Sequence, residues 1–188
     1  MTNEQAFIGL LQQGDREAFR QLVETWQQMV FNTVLNIVQD NQEAEDVCQE
    51  VFIQVFQSVR AFRGASKLST WLYRIAITKA LDHDRKRKAR KRAANLRVWM
   101  GFAEKTAEPA HFQHPGVSLD NKERAAQLFR AMRDLPENQR IAFTLIKAEG
   151  LRYEEVAEIM HISVKAVESL MHRAKDQLRK KLQQYYTS

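Results

Sequence analysis

Cysteine is almost missing from this 188-residue chain: Cys48 stands alone, which excludes an intramolecular disulfide and fits a reducing compartment. Proline (three) and glycine (six) are also scarce. Few breakers, no strand-like alternation and apolar residues at 3.6 spacing nearly throughout predict an all-α protein. No apolar run approaches the ~20 residues that a membrane span requires. The first residues, MTNEQAFIGLLQQGD, lack the charged start and apolar core of a signal peptide. A soluble, cytoplasmic protein without direct membrane insertion is expected. Positive charge is scarce at one end only. Residues 1–60 hold Arg16, Arg20 and Arg60 against nine carboxylates, a net of −6; since the whole chain is +6, the remainder carries +12. Such a division suggests two kinds of partner: a polyanion for the basic part, protein or solvent for the acidic part.

What is present begins with amphipathic helices. Residues 3–13 read as a short one, ended by Gly14, with Asp15 as the next cap. Phe19, Leu22, Val23, Trp26, Met29, Val30, Val34, Ile37 and Val38 mark a long helix with a wide apolar face. Asp40 offers a new cap, with Glu43 placed to complete a capping box. Ala44, Val47, Cys48, Val51, Phe52, Val55, Phe56 and Val59 then form a stripe. As a small residue on that stripe, Cys48 reads as core rather than nucleophile. The opposite face carries Glu43, Glu45, Asp46, Gln49, Glu50, Gln54 and Gln57 and no cation. It is either a solvated face or a seat for a basic protein.

Residues 62–67 read as a loop, Ser69 as a helix cap, and Leu68, Trp71, Leu72, Ile75 and Ala76 as the core side of a helix running into RKRKARKR at 85–92. Trp71 fits the core by its spacing. Tyr73, Arg74, Thr78 and Lys79 are expected on the exposed side. Cations in a row beside aromatic and hydroxyl groups suit a single-stranded nucleic acid, whose phosphates and unstacked bases need those two chemistries. Residues 93–119 lose periodicity and read as a linker with a helical portion near 95–103. His111 and His114 are spaced as a metal pair, but the further ligands of a structural metal do not accompany them, and no cofactor is expected. Asp120 and Glu123 suggest another capping box. Ala125, Leu128, Phe129 and Met132 share a helical face, Pro136 opens a helix over 137–148, and Gly150 closes it.

Residues 150–182 hold two helices and a tight turn. Val156, Ala157, Ile159 and Met160 are apolar in the first; His161 and Ile162 make the break; Ser163 caps the second. Val164, Val167, Leu170, Met171, Ala174 and Leu178 form its buried stripe, and Lys165, Glu168, Ser169, His172, Arg173 and Lys175 lie off it. This is the layout of a helix-turn-helix whose second helix enters a DNA major groove. The alternative is a helical hairpin closing a bundle.

Three segments together resemble bacterial sigma factors of the extracytoplasmic-function group: DNQEAEDVCQEVFIQVF (40–56), FRGASKLSTWLYRIAITKALDHDRKR (62–87) and LPENQRIAFTLIKAEGLRYEEVAEIMHISVKAVESLMHRAKDQL (135–178). The resemblance implies two small helical domains, a sigma-2-like bundle over 1–92 and a sigma-4-like four-helix domain with the helix-turn-helix over 120–188, joined by a linker over 93–119. It implies a specificity subunit that binds core RNA polymerase, recognises the −10 and −35 promoter elements and directs transcription initiation of a regulon. Asp46, Gln49, Glu50 and Gln54 would meet the β′ clamp helices; the β flap is a further polymerase contact. Arg63, Lys67, Arg74, Thr78, Lys79, Arg85, Lys86, Arg87 and Lys88 would engage the non-template strand of the −10 element. Lys165, Glu168, Ser169, His172, Arg173 and Lys175 would read the −35 duplex. An anti-sigma partner is typical of the family, and no residue here identifies one. Thr78 stands where many relatives have Asn, and Glu168 where many are basic; both changes imply a distinct promoter sequence. His161 replaces a frequent glycine of the turn, which is tolerable if no left-handed conformation is needed there.

A free-standing helix-turn-helix regulator would explain the last third equally well, but not the second basic segment or the acidic start. An enzyme would need paired carboxylates with a base, a phosphate-binding glycine loop or a nucleophile arrangement, and the sequence displays none of these.

Overall fold

The computed structural model describes residues 3–100 and 122–186, and among them all regular structure is helical. The order is α1 (Asn3–Gln13), α2 (Arg16–Val38), α3 (Asn41–Ser58), a 3-10 turn (Val59–Ala61), α4 (Leu68–Trp99), α5 (Lys122–Arg133), α6 (Glu137–Phe143) continuing into a π turn (Thr144–Ala148), α7 (Tyr153–Met160) and α8 (Val164–Tyr186). Most of the expected linker, with His111 and His114, lies outside the described residues, and so does Asp120 of the expected capping box.

The caps explain the breaks. Asp15 accepts from Ala18 N at 2.7 Å, and Asp40 accepts from Glu43 N at 2.9 Å. Glu43 does not complete a box; its carboxylate takes Arg87 instead, at 2.7 Å. Ser69 does not cap α4. The helix starts one residue earlier, and Leu68 N donates to the Glu4 carboxylate of α1 at 2.9 Å, an acid at the positive end of the helix. At 32 residues α4 is ~48 Å long, and it runs through the whole cation row.

Helices α1 to α4 enclose Leu22, Val30, Val34, Val47, Val51, Val55, Leu72 and Ala76. The C-terminal helices do not stand apart from this bundle. Ile141, Leu145, Val156, Val167 and Met171 extend the same apolar cluster, while Ala131, Met132, Leu135, Ala174 and Leu178 form a smaller one beneath α5 and α8. Tyr73, expected on the outer side of α4, is 7% exposed, because α7 and Glu149, the residue after the π turn, cover that side.

Candidate polymerase and promoter interfaces

Three surfaces are built on this frame. The first is the outer side of α3. Val47, Val51 and Val55 face the core, so helical geometry turns Asp46, Gln49 and Glu50 outward, where all three are exposed; Gln54 is half-buried. Two large apolar residues share that side: Ile53 is 57% exposed and Phe56 56% exposed. Phe56 therefore leaves the core stripe on which its spacing had put it. It makes an edge contact with Phe19, ring centroids 5.1 Å apart. Ile53 was legible as an apolar residue off the stripe. Cys48 is half-buried, and burial followed by the nearby Glu45 carboxylate pushes its thiol up to about 12. A thiol held protonated in this way is a poor nucleophile.

The second surface is α4 with the loop before it. The loop turns at Gly64, whose φ of 67° is a left-handed value that favours glycine. Arg63, Lys67, Thr78 and Lys86 are exposed. Trp71 is half-buried and packs on Phe62, with ring centroids 4.8 Å apart, which agrees with its reading as a core residue. The other cations already have partners. Lys79 Nζ lies 3.9 Å from Glu50. Arg74 donates from Nη2 to the Glu158 carbonyl at 2.7 Å and from Nε to the Ile159 carbonyl at 3.3 Å, satisfying the end of α7. Arg85 forks onto Glu137 at 2.7 and 3.1 Å. Arg87 donates to the Val38 carbonyl, Glu43 and Asp84.

Asp84 is the centre of this group and is 1% exposed. It accepts from Arg140 Nη2 at 2.8 Å and lies 3.1 Å from Lys88 Nζ. Burial pushes its carboxyl up, but hydrogen bonds and charge from Arg140 and Lys88 outweigh burial and hold it below the usual carboxylate range. Arg140, on α6, is fully buried. Both lie within the segments that carry the resemblance, but no local spacing pairs Asp84 with Arg140, because their contact spans 56 residues.

The third surface is the helix-turn-helix. Val167, Met171, Ala174 and Leu178 are buried, and Lys165, Glu168, Ser169, His172, Arg173 and Lys175 are exposed on α8. Ser163 caps α8 through Ala166 N at 3.2 Å. Arg173 is braced on Ser169, by Nε to its carbonyl and Nη2 to its hydroxyl, both at 3.2 Å, and His172 lies 3.2 Å from Asp176. His161 does take the left-handed conformation, φ 55°, so the turn spends a non-glycine where glycine is easiest. Its N–H closes onto the Glu158 carbonyl.

Among the described residues no helix is long and apolar enough to cross a membrane, and no cluster of three or more His, Cys, Asp or Glu could hold a metal.

Known proteins resemble the chain at both ends. "Sigma-70 region 2" matches residues 22–90 and "Sigma-70, region 4" matches residues 125–178. The RNA polymerase sigma-H factor of Pseudomonas aeruginosa is 36% identical over 96% of this chain and 94% of its own. The ECF RNA polymerase sigma-E factor of Escherichia coli K12 is 32% identical over 96% and 94%. Among solved structures, CnrH in its complex with the cytosolic domain of CnrY shares the fold, with a TM-score of 0.67 at 22% identity over 96% of this chain and 97% of that one.

Proposed function

Because the chain belongs to the extracytoplasmic-function group of RNA polymerase sigma factors, we propose a role for each of its three surfaces. It is an alternative sigma factor and directs transcription initiation. In this reading residues 1–92 form the unit that holds core polymerase and the −10 element, 93–119 connect, and 120–188 carry the −35 reader. The outer side of α3, with Asp46, Gln49, Glu50 and Gln54, seats the β′ clamp helices, and Ile53 and Phe56 give that polar seat an apolar centre. Interfaces of this kind, charged at the rim and apolar in the middle, combine orientation with affinity.

Arg63, Lys67, Arg74, Thr78, Lys79, Arg85, Lys86, Arg87 and Lys88 take the melted −10 strand, the cations on phosphates and Thr78 beside a base. Lys165, Glu168, Ser169, His172, Arg173 and Lys175 take the −35 duplex through its major groove. Glu168 can accept from a cytosine amino group, and Arg173, already braced by Ser169, can donate to guanine. Bond formation belongs to the polymerase, and this chain supplies specificity. It works in the cytoplasm beside the polymerase, and the β flap and an anti-sigma protein are its further partners.

The observation that carries the reading is one chain with an acidic, cation-free outer face on α3 and two separate cation-bearing faces on α4 and α8. Its test is transcription in vitro, with purified chain and core polymerase on a promoter library. The chain with core enzyme opens cognate promoters; the chain alone binds the duplex weakly. Tight, salt-resistant duplex binding without polymerase would instead make it a free-standing regulator.

A further inference from the structure

Helix α4 runs on past the bundle that carries it. Its last buried residue is Asp84, yet it continues to Trp99, and residues 88–97 are exposed without a break. From residue 88 to residue 99 this tail is ~18 Å of helix. Residues 85–100 hold eight arginines and lysines and no acid. Like charges four residues apart weaken a helix, and Lys86 with Arg90 and Lys88 with Arg92 are two such pairs. A short helix with that repulsion and little packing is marginal in water, so a surface of opposite charge would stabilise it.

The tail is apolar as well as basic. Ala89, Ala93, Leu96 and Met100 follow one another at spacings of four, three and four, so they share one side, and Trp99 borders them. Leu96 is 54% exposed, Met100 53% and Trp99 84%, the highest value for a large apolar side chain among the described residues. Arg90 and Arg97 flank this strip. Arg92 falls between Leu96 and Trp99, and its long stem lets the charged head reach outward past them.

A nucleic acid answers only half of this surface. It supplies phosphates for the cations and a base to stack on Trp99, but nothing for Leu96 and Met100. An anionic lipid surface answers both halves. Its headgroup phosphates meet the cations, and the acyl boundary takes apolar side chains ~5–10 Å deep.

We propose that the tail of α4 lies on anionic membrane lipid, with Trp99, Leu96 and Met100 dipped into the headgroup boundary and Arg90, Arg92 and Arg97 on lipid phosphates. The helix lies along the surface and does not cross it; among the described residues no helix is long and apolar enough to do so. With so short an apolar strip the contact is reversible. The lipid contact itself is independent of the sigma reading. Under that reading it has a consequence. Arg85, Lys86 and Lys88 stand on the same helix, so lipid and the −10 strand compete for it, and lipid-bound chain is withheld from promoters.

The test uses the full chain with vesicles of phosphatidylglycerol and phosphatidylcholine, against vesicles of phosphatidylcholine alone. Co-sedimentation should show binding at least ~10-fold stronger to the anionic vesicles, since each cation near such a surface contributes about fivefold. Tryptophan emission should move to the blue on binding, and lipids brominated on the acyl chain should quench it. Trp99→Phe should bind as the wild type does and lose both optical changes, which assigns them to residue 99 rather than to Trp26 or Trp71. Leu96→Ser with Trp99→Ser should lower affinity at least ~10-fold, and Arg90→Gln with Arg97→Gln about 25-fold. Circular dichroism should show the same melting for both pairs, because both lie on exposed helix. Absence of binding to the anionic vesicles, equal binding to both kinds, or binding that survives both pairs of substitutions overturns the proposal. If pooled single-stranded DNA shifts the Trp99 emission and vesicles do not, the tail is a nucleic-acid contact and the proposal falls. In run-off transcription with core polymerase, anionic vesicles should inhibit the wild type and spare the Leu96→Ser, Trp99→Ser chain; vesicles that bind the wild type without inhibiting it overturn the competition. If no chain supports initiation even without vesicles, the sigma reading fails while the vesicle result stands.

Discussion

Cys48 illustrates how one side chain is silenced by its setting. It lies on the inner edge of α3, and burial with Glu45 nearby holds the thiol at about 12. At pH 8 its thiolate fraction falls on the order of a thousandfold below that of a free cysteine. A disulfide reagent should therefore modify the native protein that much more slowly than the urea-unfolded one. Comparable rates would mean that the α3 edge opens readily. Phe56 poses the opposite case: a large apolar side chain left 56% exposed beside carboxylates. Phe56→Ala removes little core, so thermal stability should shift by no more than about 1 kcal/mol. Affinity for the β′ clamp segment should fall at least ~10-fold, as for an interface anchor. Glu50→Lys should weaken the same complex and leave the fold intact; unchanged pull-down of that segment by both variants would remove α3 from the interface.

At the level of elements, the turn before α8 carries stored strain. His161 adopts φ 55° to finish α7, at a cost of ~1 kcal/mol that glycine would avoid. His161→Gly should raise the melting temperature by roughly 2–4 °C, as expected for a chain of this size. A lower melting temperature would mean that the imidazole makes a contact worth more than the strain. Helix boundaries such as this one were legible from the sequence because their causes are local: Asp15, Asp40, Ser163 and Gly150 act within a few residues. The periodic stripes of α2 and α8 were legible for the same reason. Contacts between distant residues were not. Glu4 caps α4 from 64 positions away, Tyr73 is covered by helices 80 or so residues later, and Arg140 reads as an ordinary helix cation until Asp84 is found beside it. The candidate DNA residues were found by type and spacing, which fix the face of a helix; which cations an intramolecular acid already holds depends on how α4 and α6 meet, and no local pattern encodes that.

At the scale of the whole molecule, the closure of the C-terminal helices onto the N-terminal bundle should respond to pH, and Glu149 sets the sign. It is half-buried between helices, and that burial raises its carboxyl from 4.5 to about 7, against the opposing pull of the Thr33 and Tyr73 hydroxyls. Tyr73 in turn is pushed up by burial and by Glu149, with Glu155 adding to the effect. A carboxyl whose value is higher when packed favours the packed state while protonated. That contribution is fully present below about 4.5, declines as pH rises and is lost above about 7. Full loss corresponds to the order of 3 kcal/mol, enough to move a closed chain toward open. The radius of gyration should therefore grow between pH 5 and pH 8, and Glu149→Gln, which keeps the neutral form at every pH, should abolish most of that growth. Asp84 works in the other sense. Its lowered value means that its share of the closure weakens only when the pH falls well into the acid range. The two groups together place the tightest closure in mildly acid solution, above the titration of Asp84 and below that of Glu149. If wild type and Glu149→Gln trace the same curve of size against pH, the carboxyl does not lie at the closing surface, and the contact of Glu149 with α2 and α4 would have to be redrawn.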